Sequence, residues 1–214
     1  VRAYKRSRAE FASAALTSAA KTFTYGSKTG LDSTTADGLA LFDKAHTGLT
    51  GVATQSNVFT NAFGNDDAML NRLANIGMNF KNATGHVMGY TFDTLIVPGN
   101  AYRLITLGKK IINSDQQVGS SFNDVNVNKG MWKLVVDHHW QCADGTEPYI
   151  IMSSQANKDL MGSMFYDRTP LEIEQDVDVR TQNLISSGRG RFSAGFGDWR
   201  HIMMGGAAAG TELT

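Results

Sequence analysis

The stretch Arg180-Thr181-Gln182-Asn183-Leu184-Ile185, continued by Arg189-Gly190-Arg191-Phe192-Ser193-Ala194-Gly195-Phe196-Gly197-Asp198-Trp199-Arg200-His201-Ile202, decides how this chain is read. Aromatics spaced through glycines predict two short extended segments around a turn at Gly188-Arg189-Gly190-Arg191. No catalytic constellation accompanies them. The segment is therefore expected to pack against another element, with Phe192, Phe196 and Trp199 as its packing side chains.

Immediately upstream, residues 171–179 set Leu171, Ile173, Val177 and Val179 against Glu172, Glu174, Asp176 and Asp178, with Gln175 breaking the rhythm. That alternation predicts an acidic-faced strand or extended arm. A like-charge row at period-2 spacing suits a basic partner surface better than acid-base chemistry. Basic residues flank it on both sides, Arg180, Arg189, Arg191 and Arg200 downstream and Arg2, Lys5, Arg6 and Arg8 far upstream. Charge complementarity between copies follows, so the candidate subunit-interface residues are Arg2, Lys5, Arg6, Arg8, Glu172, Glu174, Asp176, Asp178, Arg189, Arg191 and Arg200.

Further out, residues 2–21 are Ala-rich and free of Gly and Pro, with Tyr4, Arg8, Phe11, Ala15 and Leu16 at helical spacing, which predicts one long opening helix. Gly26, Gly30 and the polar run 32–37 predict a flexible loop. Asn65-Asp66-Asp67 reads as the N-cap of a core helix running to about Asn82, with Met69, Leu70, Leu73, Ile76, Gly77 and Phe80 on one face. Residues 91–97 form a β-branched run stopped by Pro98-Gly99, a buried strand, after which Asn100 is expected to cap a third helix ending near Asn113. Residues 132–140 and 149–152 read as two strands joined in a hairpin by the turn sequence 143–148. The fold class is α+β.

Composition narrows the function. The chain has 214 residues, 42% of them apolar, and twenty basic residues cancel twenty acidic ones. With a pI near 7.1, no whole-surface attraction to nucleic acid or anionic membrane is expected, and any such contact is local. The single Cys142 excludes an internal disulfide framework and favours a reducing compartment. No apolar run approaches the roughly 20 residues that cross a bilayer.

Reactive groups are scattered. Asp137-His138-His139 is the best metal candidate, yet adjacent histidines on a strand point to opposite faces. No serine sits in a nucleophile elbow, and the glycine-arginine run lacks the Lys-Ser/Thr of a phosphate loop. No cofactor or metal is expected.

The succession of signals resembles the HK97-fold major capsid proteins of tailed bacteriophages, in particular the Mu-like major head subunits. It is carried by the basic Ala-rich helix, Asp37-Gly38-Leu39-Ala40-Leu41-Phe42 with His46, Ser56-Asn57, Phe92-Asp93-Thr94-Leu95-Ile96-Val97-Pro98-Gly99, Phe165-Tyr166-Asp167-Arg168 and the final Arg191-Phe192 to Trp199-Arg200 pair. The resemblance implies a long spine helix against which the C-terminal pair packs, a P-domain whose N-terminal part is residues 1–66, an A-domain at 67–176, and P-domain strands and tail at 177–214. It also implies a non-enzymatic virion protein, assembled in the host cytoplasm from hexamers and pentamers into an icosahedral shell round double-stranded DNA, with portal and scaffold as partners. Such subunits carry an N-terminal arm and an E-loop before the spine helix; neither stands ahead of it here, which leaves covalent cross-linking unsupported. Two alternatives remain: an encapsulin-like nanocompartment shell, and a small metal-dependent hydrolase using Asp137, His138 and His46.

Overall fold

The computed structural model describes residues 2–49, 51–120, 124–143, 146–177, 180–208 and 210–213. In chain order the elements are helix α1 (Arg2–Leu16), strands β1 (Thr22–Tyr25) and β2 (Lys28–Asp32), helix α2 (Ala68–Met78), strand β3 (Thr94–Pro98) and helix α3 (Tyr102–Asn113). Strands β4 (Lys133–Asp137) and β5 (Tyr149–Met152), the short helix α4 (Ser154–Asp159), the long strands β6 (Ser163–Val177) and β7 (Leu184–Phe196), and β8 (Ile202–Gly205) follow. The mixture is α+β.

A four-stranded sheet in the order β4-β3-β5-β8 organises the body. β3 is buried along its whole length, because Leu95 and Val97 face one side while Ile96 faces the other. On the first side they join Leu70 and Leu73 of α2, Leu104, Leu107 and Ile111 of α3, and Ile151 and Met203. On the second, Ile96 meets Ile150, Ile202, Met204, Leu41, Phe42 and Val58. Buried on both faces, β3 takes the centre, parallel to β4 and antiparallel to β5. The hairpin expected between 132–140 and 149–152 therefore does not form; α3 supplies the crossover that a parallel β3–β4 pair requires. Asp144 and Gly145 of its expected turn lie outside the described residues.

Several boundaries move for identifiable reasons. α1 spans 15 residues, about 22 Å, and stops at Leu16 rather than Lys21, where the Lys21 carbonyl accepts from Ser33 N–H instead of from a further helical turn. It is shorter than a long spine helix. The expected loop at 26–37 is in part the antiparallel hairpin β1–β2, whose Phe23 is buried against Phe11 of α1. α2 ends at Met78 rather than Asn82, with Asn79 as its C-cap. Asn100 does not cap α3, whose N-cap is Ala101; its amide instead donates to the Cys142 carbonyl and accepts from Cys142 N–H.

The C-terminal segment differs most from its expected form. Gly188-Arg189-Gly190-Arg191 is no turn, since β7 runs unbroken from Leu184 to Phe196 and pairs with β6 throughout. Gly190 serves close approach rather than reversal, whereas Gly188 has room for a side chain. A Cβ on Gly190 would lie 2.5 Å from the Tyr4 ring, and one on Gly188 would meet Leu171 at 3.7 Å. The reversal falls earlier, near Gln182, whose φ of 55° is left-handed. Phe192 and Phe196 do pack on α1, beside Phe11. Trp199 goes elsewhere, into the body beside His46 and Phe80.

Two buried polar side chains lock the C-terminus to the body. Asn57 donates to the carbonyls of Leu41 and Ile202 at 2.7 and 3.2 Å and accepts from Asp43 N–H. His201 sits where β6 begins, its Nε2 accepting from the Ser163 hydroxyl and its Nδ1–H donating to the Asp198 carbonyl. Burial pushes the His201 imidazole down to about 4 from 6.5, against the opposing pull of Asp198. Between these values the unfolded chain binds a proton that the folded chain refuses, so stability falls as pH drops through the window. Urea titrations should show a loss of about 3 kcal/mol on going from neutral pH to pH 4, flattened in His201→Asn. A wild-type chain with level stability across that range would contradict the buried neutral imidazole.

Candidate assembly surface

The proximal half of the β6–β7 ribbon lies on α1. Phe192 meets Phe11 at 5.1 Å and Tyr4 at 6.0 Å, and the Arg8 guanidinium lies 5.1 Å over the Phe165 ring while pairing with Asp167 at 2.6 Å. The strand register shifts twice here, between Asp167 and Thr169 and between Thr169 and Glu172, with Pro170 inside the second shift. Irregular pairing and a proline blunt the outer edge of β6 against strand addition.

Beyond Glu172 the register is regular, Glu172 facing Arg189 and Val177 facing Leu184. Six paired rows make a tip about 20 Å long, every residue of which is exposed on both strands. Cross-strand neighbours share a face, which sorts the tip into two surfaces. Ile173, Val177 and Leu184 lie on one; all are more than half exposed. Glu172, Glu174 and Asp176 lie on the other, together with Ile185 opposite Asp176, and there Arg189 pairs with Glu172 at 2.9 Å. The alternation read from the sequence is thus present, although Asp178 and Val179 lie outside the described residues.

The remaining candidate residues separate. Arg2 and Lys5 are exposed on α1, Arg6 pairs with Glu10 at 2.6 Å, and Arg191 is exposed on β7 opposite Thr169. Arg200 is inside the body: its guanidinium stacks on Trp199, pairs with Asp198 at 2.7 Å and donates to the Lys81 carbonyl. The structure does not bring the α1 cations to the tip carboxylates within one chain.

A second surface escaped sequence reasoning. α3 turns Leu104, Leu107 and Ile111 inward, leaving a ridge of Tyr102, Thr106 and Lys110 between two shallow grooves of about 490 and 420 Å³. Tyr102 is 79% exposed, and Ile105 lines the larger groove, with Lys109 at its margin. Arg103 stiffens the helix start, pairing with Glu147 and donating to the Gly64 carbonyl at 2.6 Å. The sequence gives little signal for it, since Ile105 packs partly on the core and a single exposed Tyr102 is ordinary on a helix surface.

Elsewhere, side chains expected to do chemistry are held structurally. His46 is fully buried, stacked on Trp199 at 4.2 Å with Nδ1 on the Asp37 carboxylate at 2.7 Å. Burial pushes the Asp37 carboxyl up, but hydrogen bonds from Thr35, His46 and Leu39 N–H outweigh it and hold the group below its ordinary value. Asp137 accepts from His139 N–H, while the ring of His46 is held on Asp37. Among the described residues no three His, Cys, Asp or Glu side chains converge as metal ligands, and no helix is long and apolar enough to cross a membrane.

A family of phage capsid proteins matches residues 1–203. The chain belongs to the phage capsid protein family. No curated protein matches it. Membership assigns the capsid protein a structural role in the virion and self-assembly into a shell, which accounts for a chain whose most distinctive exposed feature is a two-faced arm.

Proposed function

We propose that this capsid protein is the major head subunit of a tailed bacteriophage, of the HK97-like, Mu-like kind, assembling as hexamers and pentamers into an icosahedral shell round double-stranded DNA. The observation that carries the reading is the ribbon tip, six exposed rows that leave Ile173, Val177, Leu184 and Ile185 in solvent. A patch of that kind is disfavoured on a solitary soluble chain and suits an interface. Contacts between unlike surfaces generate rings when the rotation closes, as hexamers and pentamers require. Zero formal charge also limits self-repulsion when many copies pack edge to edge.

In this reading residues 1–66 and 177–214 contribute the peripheral domain and 67–176 the axial one. Portal and scaffold proteins are partners during assembly in the host cytoplasm, and DNA touches the inner face without sequence specificity. Chemistry plays no part, so the protein is not an enzyme.

Negative-stain microscopy of the product of the full gene tests this. Closed shells holding nuclease-protected DNA are expected. Shells loaded with an enzyme would favour the nanocompartment alternative, and a monomer persisting at high concentration would contradict assembly altogether.

A further inference from the structure

We propose that the tip of the β6–β7 ribbon seats on the outer face of α3 in a second copy of this chain. The inference rests on the capsid reading above and names the two surfaces that meet. The tip offers an apolar face bearing Ile173, Val177 and Leu184, and its other face carries the carboxylates of Glu174 and Asp176. α3 offers the complement: an apolar strip at Tyr102 and Ile105 with Lys109 and Lys110 beside it.

Ile105 is half-buried against the core, but the exposed groups on both surfaces are not satisfied within the chain. Among the described residues Glu174, Lys109 and Lys110 have no ion-pair partner, and Tyr102 is the most exposed large apolar side chain. Seating the apolar face against Tyr102 and Ile105 brings the edge of β6 to the groove margin. Lysine stems are long enough to lie along that edge while their ammonium groups reach the carboxylates. The other basic helix is a poorer receptor. The exposed positions of α1 are Arg2, Ala3, Lys5, Arg6 and Ala9, with no large apolar group to receive Ile173 or Leu184. DNA is a poor occupant for the tip, whose carboxylates repel phosphate.

The contact is heterologous, joining different patches on the two copies. It therefore propagates round a ring rather than stopping at a dimer. Apolar burial supplies the attraction and the charges fix which copy and which register are accepted.

Charge exchange tests it, with assembly of the full chain followed by mass photometry and negative-stain microscopy. K109E/K110E and E174K/D176K are each expected to raise the concentration needed for assembly about tenfold or more, and uniting all four substitutions in one chain to restore it. All the exchanged side chains are exposed, so unfolding midpoints should stay at the wild-type value and separate a lost contact from a lost fold. If wild type assembles and K109E/K110E assembles equally well, this contact is wrong while the capsid reading stands. The same holds if each variant fails and the fourfold variant also fails, or if the α3 variant forms normal shells that hold less DNA. A wild-type chain that never assembles overturns both.

Discussion

Trp199→Ala is expected to cost about 3–5 kcal/mol, a large part of the stability of an ordinary domain. Trp199 is 2% exposed and touches three partners at once. His46 stacks on one side at 4.2 Å, the Arg200 guanidinium lies 4.6 Å from the ring, and Phe80 meets it edge-on at 5.1 Å. Removing the indole opens a cavity and leaves His46 and Arg200 packed against nothing, although their bonds to Asp37 and Asp198 persist. The ring also holds together segments that lie far apart in sequence, the loop carrying His46 and the turn before β8. Chemical unfolding of the variant beside wild type measures the cost, with Leu49→Ala as an exposed control. A loss below about 1 kcal/mol would show that the ring is not a keystone of the core.

The fold was legible where a single period dominates. α2, α3, β3 and β5 were found because Leu70 and Leu73, Leu104 and Ile111, and the run 94–98 display their burial directly in the sequence. It was illegible where a residue type has two uses. The Gly188-Arg189-Gly190-Arg191 run has turn composition, whereas Gly190 is where the Tyr4 ring approaches a continuous strand. β1 and β2 were hidden because Thr, Lys and Gly resemble loop composition, and only Phe23 reaches the core. The order β4-β3-β5 could not be deduced locally, since strand neighbours depend on which strand is apolar on both faces.

The candidate surface was half legible. The acidic and apolar alternation of 171–177 specified a two-faced arm before its partner strand was known. The groove on α3 is not legible in the sequence because the core period of Leu104, Leu107 and Ile111 dominates the helix, and Arg200, which reads as a surface cation, is inside on Trp199, Asp198 and the Lys81 carbonyl. Charge alone does not locate a side chain.

Shortening the ribbon is expected to have the largest effect on assembly. Thr169 and Arg191 face each other, so replacing residues 170–190 by Asn-Gly closes the ribbon with a two-residue turn while sparing Phe192, Phe196 and Phe165 on α1. The distal rows contribute little to the folded body, since their side chains are exposed and the Glu172–Arg189 pair is a surface salt bridge worth about 0–1 kcal/mol. What the deletion removes is the apolar and acidic tip, the surface proposed to join copies. Sedimentation velocity of the wild-type and shortened chains, run side by side over a range of concentrations, is the most direct measurement. Wild type should sediment as large closed particles and the shortened chain as a folded species near the monomer mass, with an unchanged unfolding midpoint. Shells of normal size from the shortened chain, or a wild type that stays monomeric, would contradict the account of this protein as a shell subunit joined through its ribbon.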